Sequence, residues 1–126
     1  MNKILIFSIF LFYLNGCAYK HEPIVLPTHS EKGIASYYGS GEIEEGAKTA
    51  NGEVFDPSQL TAAHPSLPFG SLIKVENLDN QKEVIVRIND RGPFVKGRIV
   101  DVSYSAAEKL DMLDSGKVPV RLTFLK

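Results

Sequence analysis

The chain has 126 residues, with 14 Lys and Arg against 15 Asp and Glu and a formal charge of −1. At that length one domain is the expectation. The near-balance of charge excludes the basic excess of a nucleic-acid-binding domain, and the single cysteine excludes an internal disulfide.

Lys3 supplies a short positive start, and Ile4 to Leu14 is an uncharged, mostly apolar run of eleven residues. A helix needs about 20 such residues to cross a bilayer core, so the run has the length of a signal-peptide core instead. It ends in Leu14-Asn15-Gly16-Cys17, which looks like a bacterial lipobox, with Asn15 an unusual occupant. Residues 1–16 are therefore read as a lipoprotein signal peptide and Cys17 as the acylated new N-terminus. The alternative is an uncleaved anchor with an incidental cysteine. Several acyl chains would hold the protein to a membrane firmly, since each buried methylene adds about 0.8 kcal/mol. Ala18 follows the cysteine, in place of the Asp associated with inner-membrane retention, which points to the periplasmic side of the outer membrane. Loss of residues 1–16 removes Lys3 and no acid, leaving 13 basic and 15 acidic residues and a charge of −2. Residues 17–32 carry two prolines and no sustained period, and read as the lipidated N-terminus and a flexible tether.

Residues 33–126 are the expected folded domain. Ile34 to Tyr38 reads as a strand closed by Gly39, and residues 40–52 as a long loop. Asp56 and Pro57 could start a short helix over Pro57 to Leu60. "SLIKVEN" (71–77) and "KEVIVRI" (82–88) alternate apolar and polar residues around Asp79-Asn80, as a hairpin would. Arg98 to Val102 is a further strand. Ser103 to Leu110 is a helix that Ser103 can cap, with Ala106, Ala107 and Leu110 on one face. Val118 to Leu125 is a last strand, in which Pro119 predicts an edge or a bulge. Short strands, long loops and little helix predict a small closed barrel, because closure removes exposed sheet edges.

The stretch "RINDRGPFVKGR" (87–98) is the most constrained in the chain. Asp90 has Arg87, Arg91 and Arg98 near it in sequence, then Gly92-Pro93 as a rigid turn. A salt-bridged surface turn would account for it, and so would an acid aimed by a strand.

Four stretches, "GIASYYG" (33–39), "KTANGEVFD" (48–56), "LTAAHPSLPFGSLIKV" (60–75) and "VRINDRGPFVKGRIVDVSYSAAEKL" (86–110), together resemble the rare lipoprotein A family. The resemblance spans essentially all of residues 33–126. It implies a mainly β fold, a six-stranded double-psi β-barrel with one or two short helices. It also implies an endolytic transglycosylase of peptidoglycan that cuts β-1,4 bonds between MurNAc and GlcNAc and leaves 1,6-anhydro-MurNAc ends. Many members add a C-terminal sporulation-related repeat domain that binds peptide-free glycan; the sequence stops at Lys126, after the last barrel strand, and the reading is of a domain without that repeat.

Such a reaction needs a proton delivered to the leaving oxygen. A hydrolase adds a second carboxylate as nucleophile or as base for water. A lytic transglycosylase needs only one, because the sugar's own C6 hydroxyl attacks. The resemblance makes Asp90 that acid and then base, with His64 and Glu53 beside it. A second carboxylate near Asp90 would favour its protonated form and offset the arginines, which must point elsewhere. Arg91 would pair with the lactyl carboxylate of the muramyl sugar, and Asn51, Tyr37 and Tyr38 would bind substrate. The two tyrosines are adjacent on a strand, so one faces the core and the other is open to stack on sugar. His64 could equally be structural and Glu53 a solvated loop acid. Asp101 reads as structural, bonding loop or helix amides. No metal or cofactor is implied. The expected partners are glycan strands and, through the lipid, a membrane, for a protein acting as a monomer. Two other readings stand beside this one: an expansin-like wall-binding module without catalysis, and a structural lipoprotein bridging membrane and wall.

Overall fold

The computed structural model describes residues 29–38 and 46–126. The residues read as signal peptide, Cys17, most of those read as tether, Gly39 and the start of the expected long loop lie outside the described residues.

Six strands and one helix follow in the order β1 (Ser30–Tyr37), β2 (Thr61–Ala63), β3 (Leu72–Asn77), β4 (Glu83–Asp90), β5 (Arg98–Val102), α1 (Tyr104–Lys109) and β6 (Val118–Phe124). They close into a barrel in the spatial order β1-β5-β2-β4-β3-β6. Two parallel pairs, β1 with β5 and β2 with β4, are joined by the antiparallel β2–β5 pair. The β3–β4 hairpin and β6, antiparallel to both β1 and β3, complete the circuit.

Alternation in the sequence decides which side chains enter the barrel. Ile73 and Val75 of β3 and Val84, Val86 and Ile88 of β4 face inward, meeting Val100, Val102, Val120 and Leu122. Helix α1 seals the barrel with Ala106, Ala107 and the following Leu110. Ser103 is its N-cap and accepts from the Ala106 N–H. The same hydroxyl donates to the Gln59 carbonyl at 2.6 Å. At the other end the Leu110 carbonyl accepts from the amides of Asn77 and Asn80, both at 3.0 Å, so the hairpin turn doubles as the helix stop.

The structure corrects the sequence reading in four places. First, β1 begins at Ser30, so Ser30 to Lys32, read as tether, pair with Arg121 to Thr123 of β6. Second, Pro57 to Leu60 forms a turn and no helix: the Asp56 carboxylate accepts from both the amide and the hydroxyl of Ser58, and the Pro57 carbonyl accepts from Ser105. Third, Thr61–Ala63 is a strand that the sequence reading omitted. Fourth, Pro119 marks neither an edge strand nor a bulge, since it pairs with Ile34 of β1 without a register shift. It is the second residue of β6, and its carbonyl accepts from the Leu78 amide at 2.9 Å.

Gly33 shows how tightly β1 and β5 meet. A β-carbon there would lie 2.6 Å from Cγ2 and 2.9 Å from Cγ1 of Ile99. Gly33→Ala is expected to lower stability by about 1–3 kcal/mol through overpacking, measured by urea unfolding. Adding Ile99→Ala should restore much of the loss; a double variant as unstable as the sum of the two singles would refute the contact as its cause.

Candidate active site

Parallel pairing of β2 with β4 brings the ends of both strands to one place. Ala63 registers with Asp90, the last residue of β4, and the next residue, His64, donates its amide to the Asp90 carbonyl at 3.2 Å. The 46–55 loop folds over the same point. Its Ala50 amide donates to Asp90 Oδ1 at 2.9 Å, and the Arg91 amide donates to the same oxygen at 2.9 Å. Asp90 Oδ2 accepts from the Tyr38 hydroxyl at 3.0 Å. Tyr38 is buried with Phe55 and Ala63, its ring edge-on to Phe55 at 5.3 Å, so the carboxyl stands on a small apolar floor separate from the main core. Asp90 itself is 9% exposed.

None of the three arginines that flank Asp90 in sequence turns its guanidinium to that carboxylate. Arg87 projects from the outer face of β4 and holds Glu53 through two bonds of 2.5 and 2.8 Å. Arg91 donates to the carbonyls of Leu67 at 2.8 Å and His64 at 3.4 Å, with its guanidinium 3.9 Å over the Phe69 ring. Arg98 donates to Asp101 at 2.7 Å and to Ser36, whose hydroxyl also bonds Asp101. Asp101 is therefore structural as expected, but its partners are side chains rather than loop or helix amides.

Glu53 lies in the same loop as Ala50, and its carboxylate turns to Arg87 instead of Asp90. The Arg87 bonds, then those from the Asn51 and Asn89 amides, push its pKa down to about 2. The same bond raises that of Arg87. Glu53 is thus a fixed anion that ties the loop to β4, and none of its hydrogen bonds reaches Asp90. Asn51 serves the same brace. Its side-chain oxygen accepts from the Glu53 amide and the Thr49 hydroxyl, its amide group donates to Glu53, and its backbone amide donates to the Asn89 carbonyl.

His64 is buried, and its ring does not touch the Asp90 carboxylate. Nδ1 accepts from the amides of Ser66 and Leu67 at 3.1 and 3.0 Å, so the ring proton sits on Nε2, which donates to Glu31 at 3.2 Å. The ring thereby shapes the turn whose Leu67 carbonyl holds Arg91. Glu31 is the site residue that the sequence reading missed, assigned as it was to the tether. The available signal was its place two residues before Gly33 in a segment that continues β1. Glu31→Ala is expected to cost about 0.5–1.5 kcal/mol by removing the acceptor of the Nε2 proton. Glu31→Gln, whose carbonyl can still accept, should recover most of it in the same thermal melt.

Tyr37 and Tyr38 face opposite sides, as adjacent strand residues do. Tyr38 reaches Asp90. Tyr37 points to the helix side, its hydroxyl donating to the Leu113 carbonyl at 2.9 Å and its ring edge-on to Tyr104. Neither ring is the open stacking face expected of one of them. A shallow surface depression of about 510 Å³ is lined by Phe69, Ser71 and Arg87 among others. Among the described residues no group of three or more His, Cys, Asp or Glu is placed to hold a metal ion.

The family model described as lytic transglycolase matches residues 30–122. A Campylobacter jejuni protein named endolytic peptidoglycan transglycosylase RlpA is 49% identical over 109 residues, 86% of this chain and 38% of its own. A Rickettsia bellii protein of the same name is 43% identical over 120 residues, 90% of this chain and 53% of its own. The chain therefore spans between about two fifths and about a half of the length of these two relatives. Among solved structures, the Streptomyces papain inhibitor superposes with a TM-score of 0.63 at 25% identity, over 80% of this chain and 99% of that one. A Clavibacter michiganensis expansin superposes at 0.61 and 18% identity, over 78% of this chain and 51% of that one, a likeness of fold.

Proposed function

The chain belongs to the lytic transglycolase family, and from that premise we propose that it is an endolytic peptidoglycan transglycosylase acting in cell-wall remodelling. Its substrate is the glycan strand, and its product carries 1,6-anhydro-MurNAc ends. The observation that carries the mechanism is the division of labour between the two carboxylates. Glu53 is locked as an anion on Arg87, whereas among the described residues no cationic side chain bonds the Asp90 carboxylate, and its Oδ2 accepts from the Tyr38 hydroxyl. A hydrolase of the two-carboxylate kind would need both groups facing the scissile bond. One available carboxyl among the described residues suits intramolecular attack.

In that reaction Asp90 gives its proton to the glycosidic oxygen as the C1–O bond breaks, releasing the GlcNAc end as an alcohol. The C6 hydroxyl of the same MurNAc attacks C1 and forms the 1,6-anhydro bond, and its proton returns to Asp90. No water is consumed. The Ala50 and Arg91 amides and the Tyr38 hydroxyl fix the carboxyl's direction, which is the positioning that converts a collision into a unimolecular step. His64 is a positioning residue, acting through the 64–67 turn and Arg91. The Arg91 Nη1 group is committed to main-chain carbonyls, so a muramyl carboxylate would meet another edge of the guanidinium.

The sequence motif at Cys17 supports lipid anchoring on the periplasmic side, with the outer membrane as its destination, and a monomer suffices for the chemistry. A non-catalytic wall-binding module is the second reading, favoured by the fact that an expansin shares this barrel. Mass spectrometry of purified glycan strands incubated with the chain tests both. New anhydro ends support the transglycosylase, reducing ends mean hydrolysis, and binding without new ends supports the module.

A further inference from the structure

Seven large hydrophobic side chains are exposed among the described residues, and four of them, Val54, Phe69, Phe94 and Val95, sit in the three loops around Asp90. These are the loop that gives Ala50 to the carboxyl, the loop that holds Arg91, and the 91–97 loop that follows Asp90 directly. Apolar side chains left in water on the loops that frame the acid are available to a ligand. Phe94 is the most exposed of them, at 81%. Its ring carbons Cδ2 and Cε2 would lie 3.8 and 3.7 Å from a β-carbon at Gly92, so the ring rests beside the Gly92 backbone, two residues from the acid. Gly92 has a φ of 102°, a conformation suited to glycine, so this arrangement depends on the residue type there.

Taking the proposed glycan-cleaving reaction as given, we infer that Phe94 is the substrate-positioning platform of the site: one pyranose ring of the glycan lies on its open face while the adjacent linkage reaches Asp90. The chemistry of the surroundings selects this occupant. An aromatic face is electron-rich, and the axial C–H groups of a sugar ring are its electron-poor complement. Glu53 and Arg91 already have protein partners, Arg87 for the first and main-chain carbonyls with the Phe69 ring for the second. Phe94 itself offers a neutral, exposed aromatic face, which suits the C–H face of a sugar ring.

The test uses the full chain carrying Asp90→Asn, which prevents turnover, titrated with purified peptide-free glycan strands. Adding Phe94→Ala is expected to weaken binding by on the order of tenfold. Phe94→Tyr should keep the affinity and Phe94→Leu should lose most of it. In the catalytically intact chain, Phe94→Ala should raise KM and lower kcat/KM by at least the factor lost in binding. Thermal melts should coincide, because the ring is exposed. The inference alone falls if strands bind and are cut but Phe94→Ala or Phe94→Leu matches the unsubstituted protein. If the unsubstituted chain neither binds nor cuts strands, this inference and the functional reading fall together.

Discussion

Asp90→Asn is expected to abolish the appearance of anhydro ends while leaving the fold intact. General acid–base catalysis by one side chain contributes roughly 10²–10⁴-fold, and here one group serves both half-reactions, so the loss should reach the upper part of that range. The geometry makes Asn a clean probe. Its carbonyl oxygen can keep the bonds from the Ala50 and Arg91 amides, and its NH₂ can donate to the Tyr38 hydroxyl, which turns to accept. The two amides keep their acceptor, the Tyr38 oxygen gains a donor, and the transferable proton is gone. Asp90→Ala is a poorer probe, since it would take the acceptor from the Ala50 and Arg91 amides in a mostly buried site, at about 1–3 kcal/mol for each amide left unpaired. The measurement is the rate of anhydro-end formation by mass spectrometry beside a thermal melt. An Asp90→Asn protein that melts normally and still forms anhydro ends at the original rate would remove Asp90 from the chemistry.

How the arginines are arranged explains why this site was only partly legible in the sequence. Proximity along the chain suggested that Arg87 and Arg91 crowd Asp90. Strand alternation already argued otherwise for Arg87, which lies between the inward-facing Val86 and Ile88 and so must point out. What it meets there, Glu53, comes from a loop more than thirty residues earlier, and no local pattern reports a pairing of that range. β3, β4, β5, α1 and β6 could be read because each has a period, a cap or a bounding turn. β2 could not. It has only three residues, all buried between β4 and β5, so it shows neither length nor alternation. That omission mattered, because β2 carries His64 to the end of β4. Likewise Ser30 to Lys32 look like tether until β6 is present to pair with them, and Glu31 was missed with them.

Glu53→Gln should separate the brace from the acid. The Glu53 carboxyl has its pKa pushed down to about 2 from 4.5, first by the Arg87 bonds. A depressed carboxyl pKa adds stability above the unfolded value, and that stability is lost as pH falls through the folded one. The contribution should therefore be complete above about pH 4.5 and gone by about pH 2. Both side chains are more than a third exposed, Glu53 at 38% and Arg87 at 34%. Solvent screening thus reduces the worth of the pair to about 1 kcal/mol. Urea unfolding of Glu53→Gln beside the unsubstituted chain should show that gap at pH 7 and almost none near pH 2. A gap independent of pH would mean that packing, and not the ion pair, is what the substitution disturbs. The catalytic consequence is the larger one. The 46–55 loop is tied to β4 by Glu53 and delivers the Ala50 amide to Asp90, so a loosened brace misaims the carboxyl. A displacement on the order of 1 Å can cost about 10²-fold in rate. The products should still be anhydro ends, formed more slowly, because Glu53 touches no reacting atom in this mechanism. If instead the unsubstituted chain yields reducing ends and Glu53→Gln abolishes them, Glu53 is the base of a hydrolysis, and its hold on Arg87 must open when substrate binds.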